Sequence, residues 1–386
     1  MANQEVILTV PASFDASARE LTLKAAQQAG LPDITLLEEP QAALYAWCEA
    51  MGESFRKQVR PGEVILVVDV GGGTTDFSLI AVSEKEGEVQ LVRLAVGNHI
   101  LLGGDNMDLA LAHAVSQRLA AGGKKLDTWQ FNALTFACRQ AKELLFSDEK
   151  LDKAALTIPG RGSSLIGGAI KAELLRDELT RILTDGFFPV TPVTEMPQTG
   201  RRAGLAQMSL PYAQDAAVTR HLASFLQRQA RAFASAHEVP VQFTGQSFVH
   251  PTAVLFNGGV FKAAALKNRV LEVLNHWLQS DGGQNIKELT GVDLDLAVSR
   301  GSLLLRLGAP GTWVENTRRD SPILLCRSGN SNPGCAWHRT TYQGIMRCAI
   351  WHGRGNQGRC ASPGIWPLCR GAGSVPLFLI LCPAGG

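Results

Sequence analysis

Val67-Val68-Asp69-Val70-Gly71-Gly72-Gly73-Thr74-Thr75-Asp76 is the stretch on which the fold turns. It continues an apolar run that starts at Val64, so it reads as a buried strand delivering Asp69 at its C-terminal end. Three glycines then let the backbone turn tightly and approach a ligand closely. Their N–H groups are suited to cradle a phosphate as an anion nest, with Thr74 and Thr75 adding hydroxyl donors. Asp69 and Asp76 bracket the turn, and their oxygens suit the waters of a Mg²⁺ ion. No G-K-[ST] follows the glycines, so this is not a P-loop. A glycine hairpin without a ligand is the plainer alternative. Phe77 to Val82 reads as the hairpin partner, and Val89 to Val96 as a third strand.

Outward from this hairpin the chain alternates strands and helices, which argues for α/β layers. Glu5 to Val10 reads as a strand ended by Pro11. Asp15 or Ser17 then caps a helix whose apolar face runs Ala18, Leu21, Ala25 and Ala29, and Gly30 stops it. Ile34 to Leu37 is a second buried strand, and Gln41 to Met51 an alanine-rich helix after Glu39-Pro40. Asp108 to Leu119 and Trp129 to Phe146 read as long helices. Leu156 to Ile158 and Ser164 to Ile170 read as a small sheet, Lys171 to Leu183 as a helix, and Phe188 to Gln214, rich in Pro and Thr, as a loop or lobe boundary. Ala216 to Ala236 and Lys262 to Gln279 are helices around the strand Ala253 to Phe256. That strand runs into a second glycine turn, Asn257-Gly258-Gly259, and a third pair, Gly103-Gly104, precedes a helix. Each is weak alone, since ordinary turns use the same residues. Together they suggest two lobes that each send a turn into one cleft.

The 386 residues suffice for two or three lobes, and 45% hydrophobic with 19% charged residues fits a soluble globular chain. A net charge of +2 is too small to point to nucleic acid. Met1 to Glu5 has no apolar core of a signal peptide, and no apolar run reaches about 18 residues, so neither secretion nor a membrane span is expected. The expectation is a cytoplasmic protein.

The composition changes near residue 320. Ser321 to Gly386 contains no Asp, Glu or Lys, and holds Cys326, Cys335, Cys348, Cys360, Cys369 and Cys382 without a C-x-x-C pair. Natural surfaces mix both charge signs. Residues 302–386 therefore read as a tail without clear fold, the product of a shifted reading frame or a degraded gene end. A disordered basic tail and a small Cys-rich module are the alternatives.

Seven segments, in order, resemble the Hsp70 family. Val6 to Phe14 with Arg19 resembles "ITVPAYF…R", and Leu37 to Ala43 is similar to "NEPTAAA". Asp69 to Asp76 resembles the second phosphate motif, "DLGGGTFD", and Leu102 to Asp108 resembles "LGGEDFD". Cys138 to Leu145 resembles the adenosine-contacting helix, "CERAKRTL". Val254 to Gly259 resembles the adenosine loop, and Asp295 to Val298 with Gly301 the second connecting motif.

The resemblance implies an actin-like ATPase (ribonuclease H-like) α/β fold over residues 1–301. The lobe boundary would fall near 97–105, with a return to the first lobe near 253–301. It implies ATP or ADP with Mg²⁺, and unfolded clients and co-chaperones as partners of an intact relative. Asp69 and Glu39, with Thr74, would serve catalysis by positioning Mg²⁺ and the attacking water, and Asp69 and Asp76 would face the metal. Gly71, Gly72, Gly73, Thr74 and Thr75 would hold the β- and γ-phosphates. Gly103 and Gly104 would approach the ligand, and Lys142, Gly258 and Gly259 would contact adenosine. Pro11 and Arg19 match the family's relay between nucleotide state and substrate-binding domain.

Some positions depart from the pattern. Arg139 stands for the acid of "CERAKR", Glu143 for its last arginine and Phe146 for a serine, and Lys262 is the nearest cation after Gly259. The family's first phosphate hairpin (D-L-G-T-T) and catalytic lysine precede the strand at Val6, where this chain starts. An incomplete first lobe and weak ATPase activity are therefore expected. Three readings stay open: an inactive chaperone-related fragment, half of a split ATPase completed by a partner chain, and another actin-like member. A non-nucleotide interaction protein is the bland fourth.

Overall fold

The computed structural model describes residues 4–31, 34–85, 88–160, 168–198, 213–235 and 247–307, with the short strand segments 323–324, 365–367 and 378–383. In chain order the main elements are β1 (Gln4–Val10), α1 (Ala16–Gln28), β2 (Ile34–Glu38), α2 (Glu39–Met51), β3 (Val64–Val70), β4 (Thr75–Lys85) and β5 (Glu88–Val96). Then come α3 (Gly104–Ala121), α4 (Thr128–Ser147), β6 (Lys153–Ile158), β7 (Ile170–Leu175), α5 (Val218–Ser235), β8 (Ala253–Asn257), α6 (Ala264–Ser280), β9 (Lys287–Leu289) and α7 (Ala297–Leu307). The last strands are β10 (Ile323–Leu324), β11 (Ile365–Pro367) and β12 (Phe378–Pro383). The chain forms two compact units, one of residues 1–63, 80–96 and 289–386, the other of residues 64–79 and 97–288.

In the first unit β1 pairs parallel with β2, Val6 opposite Ile34 and Val10 opposite Glu38, and antiparallel with β12. Asp15 caps α1 by accepting the Ala18 N–H at 2.8 Å. The face of α1 differs from the expected stripe. Leu21 is 66% exposed, and Ala26 packs instead into a cluster with Val6, Leu8 and Leu31. An alanine stripe offers little apolar area, so the docking strands decide which face is covered. Glu39 and Pro40 form the first turn of α2, where a missing N–H costs nothing. Helix α2 buries Leu44, Tyr45 and Trp47 and packs against α7.

In the second unit the strand order is β4-β3-β8-β9. Strands β3 and β8 run parallel, with Val68 opposite Phe256 and Asp69 opposite Asn257. Both are buried along nearly their whole length, which is why they read as unbroken apolar runs. Helix α4 starts with a capping box, in which Asp127 accepts the Gln130 N–H and Gln130 accepts the Asp127 N–H. It buries Leu134, Cys138, Ala141 and Leu145. Helix α6 buries Val270, Val273, Leu274 and Trp277, and the Trp277 indole donates to the Thr191 carbonyl.

One element is corrected outright. Ile170–Leu175, expected to lie mostly in a helix, is a strand pairing antiparallel with β6, Lys153 opposite Leu175. Helical structure begins only at Arg176. Its residues have good helix propensity, but a cross-strand partner outweighs a few tenths of a kcal/mol per residue. Residues 161–167, part of the expected small sheet, and most of 302–386 lie outside the described residues.

Gly301 sets the approach of α7 to α2. A Cβ there would sit 1.7 Å from the Ala42 carbonyl oxygen. Gly→Ala in an open helix gains roughly 0.5–1 kcal/mol, but an overlap with backbone forces the helices apart at about 1–3 kcal/mol. Gly301→Ala is therefore expected to lower the urea midpoint of unfolding. An unchanged or raised midpoint would show that the helices do not meet at this residue.

Candidate functional site

Strands β3 and β8 end side by side, and each runs into a glycine turn at its C-terminal end. In open α/β sheets this is where ligands bind. The Asn257 amide donates to Asp69 Oδ2 at 2.6 Å, so the two strand ends are tied through their side chains. Gly258 has φ +87°, and a Cβ on it would lie 2.2 Å from the Val70 carbonyl oxygen and 2.7 Å from Asp69 Oδ1. Only glycine fits there.

The third glycine pair closes on the same hairpin. Gly104 N–H donates to the Gly71 carbonyl at 3.0 Å, and Asp105 N–H donates to the Gly72 carbonyl at 2.7 Å. A Cβ on Gly103 would fall 2.5 Å from the Gly72 oxygen. The hairpin carbonyls thus cap the N-terminus of α3, satisfying donors that a helix otherwise leaves open. Asn106 completes the cap by accepting the Gly103 N–H at 2.9 Å.

The opposite edge of the hairpin carries donors. Gly71 N–H donates to the Thr74 carbonyl at 2.9 Å. Among the described residues, the N–H groups of Gly72, Gly73 and Thr74 have no acceptor. Gly72 is exposed, and Gly73 and Thr74 are half-buried. Three successive amides without protein partners are left open to a ligand or to water. Thr75, expected among the phosphate donors, spends both of its own within the protein. Its hydroxyl donates to the Leu102 carbonyl at 2.7 Å, and its N–H to the Ile100 carbonyl at 2.9 Å. It anchors the hairpin.

The charges around the hairpin are arranged unequally. Burial pushes the Asp69 carboxyl up to about 6; the Asn257 hydrogen bond opposes this and nearby Asp76 adds to it. Asp76 is 3.0 Å from His99 Nδ1, and that hydrogen bond raises the His99 pKa. Two acids near each other, one with only an amide for a partner, fit a hard divalent cation. Asn257 Oδ1 and Asn106 Nδ2 are buried without a hydrogen-bond partner among the described residues.

Lys142 lies 2.6 Å from buried Asp108 and 3.4 Å from the Gly104 carbonyl. Arg139 donates to Asp108 at 2.7 Å and also pairs with Asp105. The departure at Arg139 thus ties α4 to the glycine end of α3. Gly259 is exposed after the β8 turn. The second unit therefore brings together Asp69, Gly71 to Asp76, Gly103, Gly104, Lys142, Gly258 and Gly259.

Asn257, Asp108 and His99 escaped the sequence reading. Asn257 was legible from its register opposite a strand-end acid, whereas Asp108 and His99 acquire partners only through folding.

The first unit holds the other expected residues. Glu39 opens α2. Pro11 ends β1, and its carbonyl accepts the Phe14 N–H at 3.1 Å. Arg19 Nε donates to the Phe14 carbonyl, so Pro11 and Arg19 brace one turn. Buried Glu38 pairs with both Arg19 and Arg93.

The Hsp70 protein family model matches residues 2–195, which carry the hairpin, the Gly103-Gly104 segment and α4. The chain belongs to the Hsp70 family. This Hsp70-family chain is 36% identical over 150 residues to a chaperone protein HscA homolog of Acinetobacter baylyi, covering 39% of this chain and 23% of that protein. It is 35% identical over 156 residues to an HscA homolog of Acinetobacter baumannii, covering 39% of this chain and 24% of that protein. It is 38% identical over 132 residues to the chaperone protein HscA of Photorhabdus laumondii, covering 34% and 20%. The matches span less than a quarter of the length of these curated relatives. Residues 2–195 are thus Hsp70-like nucleotide-binding domain, in a mixed α/β chain. No helix among the described residues is long and apolar enough to cross a membrane.

Asp69 yields a pH prediction for the cation-free protein. A carboxyl raised from 3.8 to about 6 in the fold binds a proton there that the unfolded chain releases. Stability is then highest below about 4 for this group and falls as pH rises through 6. Asp69→Asn keeps an acceptor for Asn257 and removes the charge. In chelator, it is expected to unfold later than wild type at pH 7.5, by about 3 kcal/mol, with the gap shrinking as pH falls from 6 and closing below about pH 4. Equal pH profiles for the two proteins in urea titrations would mean that Asp69 is well solvated.

Proposed function

We propose that this chain binds an adenine nucleotide with Mg²⁺ at the Gly71–Gly73 hairpin and serves an Hsp70-type chaperone cycle. One observation carries the reading: three unpaired amides, Gly72 to Thr74, at the mouth of a hairpin that Gly103, Gly104 and Gly258 approach closely. Gly71 to Gly73 with Thr74 would hold the β- and γ-phosphates, and Thr75 would keep the hairpin in place. Asp69 and Asp76 would hold the ion's waters, and Asp69 would help orient the attacking water. Mg²⁺, when bound, neutralises charge on the phosphates. Lys142, Gly258 and Gly259 would contact adenosine. Pro11 and Arg19 would relay nucleotide state to a client-binding domain, with unfolded clients and co-chaperones as partners and the cytoplasm as the setting. The HscA relatives support the chaperone class.

Phosphoryl transfer needs charge clamped from several sides. These 386 residues contain one glycine–threonine hairpin of this type. A second hairpin and a lysine clamp would come from elsewhere in the polypeptide or from a partner chain. The isolated 386-residue protein is therefore expected to bind nucleotide and turn it over slowly.

Titration calorimetry with ATP and Mg²⁺ tests this on the 386-residue protein and on Asp69→Ala. Binding that weakens about tenfold or more in the variant, a loss of at least ~1.4 kcal/mol, supports the reading. A folded wild-type protein that binds no nucleotide would leave the interaction-protein reading in its place.

A further inference from the structure

We propose that the second unit carries an additional binding site, for a small organic carboxylate with an apolar body, beside the strand that follows the glycine hairpin. A cavity of about 370 Å³ lies there. That volume is at the low end for small-molecule sites and suits roughly one ring with an acid group. Its apolar wall is Phe77 and Phe225, whose rings stack at 5.8 Å. The facing segment is fixed by backbone: Gly97 N–H donates to the Phe77 carbonyl at 2.8 Å, and Thr75 and Ile100 exchange two hydrogen bonds. A Cβ on Gly97 would already meet Phe225 at 3.4 Å, so the segment lies close against the ring. The cavity is half open to solvent, with one wall held by these backbone hydrogen bonds.

Three of its polar groups arrive on one helix face. His221, Ser224, Phe225 and Arg228 stand at i, i+3, i+4 and i+7 of α5, and all line the cavity. The His221 ring is held by Nε2 donating to the Asp215 carbonyl at 2.9 Å. Arg228 Nε donates to the Ser224 carbonyl at 3.3 Å. Among the described residues, the Arg228 guanidinium has no carboxylate partner, and the Ser224 hydroxyl has no hydrogen-bond partner. No lining residue is acidic, and His99 adds a second imidazole. A guanidinium and a hydroxyl one turn apart, over an aromatic wall and with the nearby Asp76 already held by His99, match a carboxylate joined to a ring.

This site does not depend on the nucleotide reading. Saturation-transfer NMR of the 386-residue protein with benzoate tests it, with benzyl alcohol as the neutral isostere. A ligand of this size binds in the range of about 0.1–10 mM at best. Benzoate is expected to bind about tenfold tighter than benzyl alcohol, and Arg228→Met to remove that preference, the scale of one charge-assisted hydrogen bond. Ser224→Tyr, which fills the cavity, is expected to abolish binding of both. Asp69→Ala is expected to leave benzoate binding unchanged. No benzoate binding by the folded protein, equal binding by all variants, or loss of binding in Asp69→Ala would each overturn the proposal.

Discussion

The second unit depends on one close approach, that of Gly103, Gly104 and Gly258 to the backbone of the Val70–Gly72 turn. The Gly71 and Gly72 carbonyls accept from the first N–H groups of α3, and Gly258 stands against Val70 where no side chain fits. The helix N-terminus and the hairpin satisfy each other, which is the cheapest way to bury both. The same hydrogen bonds orient the hairpin so that its carbonyls face the helix and its remaining N–H groups face outward. The open amides of Gly72, Gly73 and Thr74 are a consequence of that packing.

Charge is handled in two ways in this chain. Asp108 is nearly inaccessible and has Arg139 and Lys142 against it, and Glu38 has Arg19 and Arg93. These carboxylates are paired, as burial demands. Asp69 is different: it has an amide and a neighbouring acid, and its carboxyl is pushed up accordingly. Asp69 has no cation against it among the described residues, so electrostatic cost is held beside the glycine hairpin. Such cost concentrates where a ligand relieves it.

Much of the site was legible because its parts are local. An apolar run ending in an acid and three glycines announces a strand end, whatever surrounds it. The strands β3 and β8, the helices α3, α4 and α6, and Asp15 as a cap followed the same local rules. The elements that were misread lack that autonomy. Ile170–Leu175 becomes a strand only because β6 offers a partner, and α1 presents Ala26 because β1 and β2 choose the face.

By itself, the sequence determined the glycine turns, the strand that carries Asp69 and the family, since backbone permissiveness and apolar runs are properties of a few adjacent residues. Only tertiary structure decided which donors remain open. Thr75 lost its hydroxyl to Leu102, Arg139 went to Asp105 and Asp108, and His99 to Asp76. Each partner lies 23 or more residues away. A hydrogen bond is a matter of a few ångströms and an angle, and no local pattern sets either across that separation.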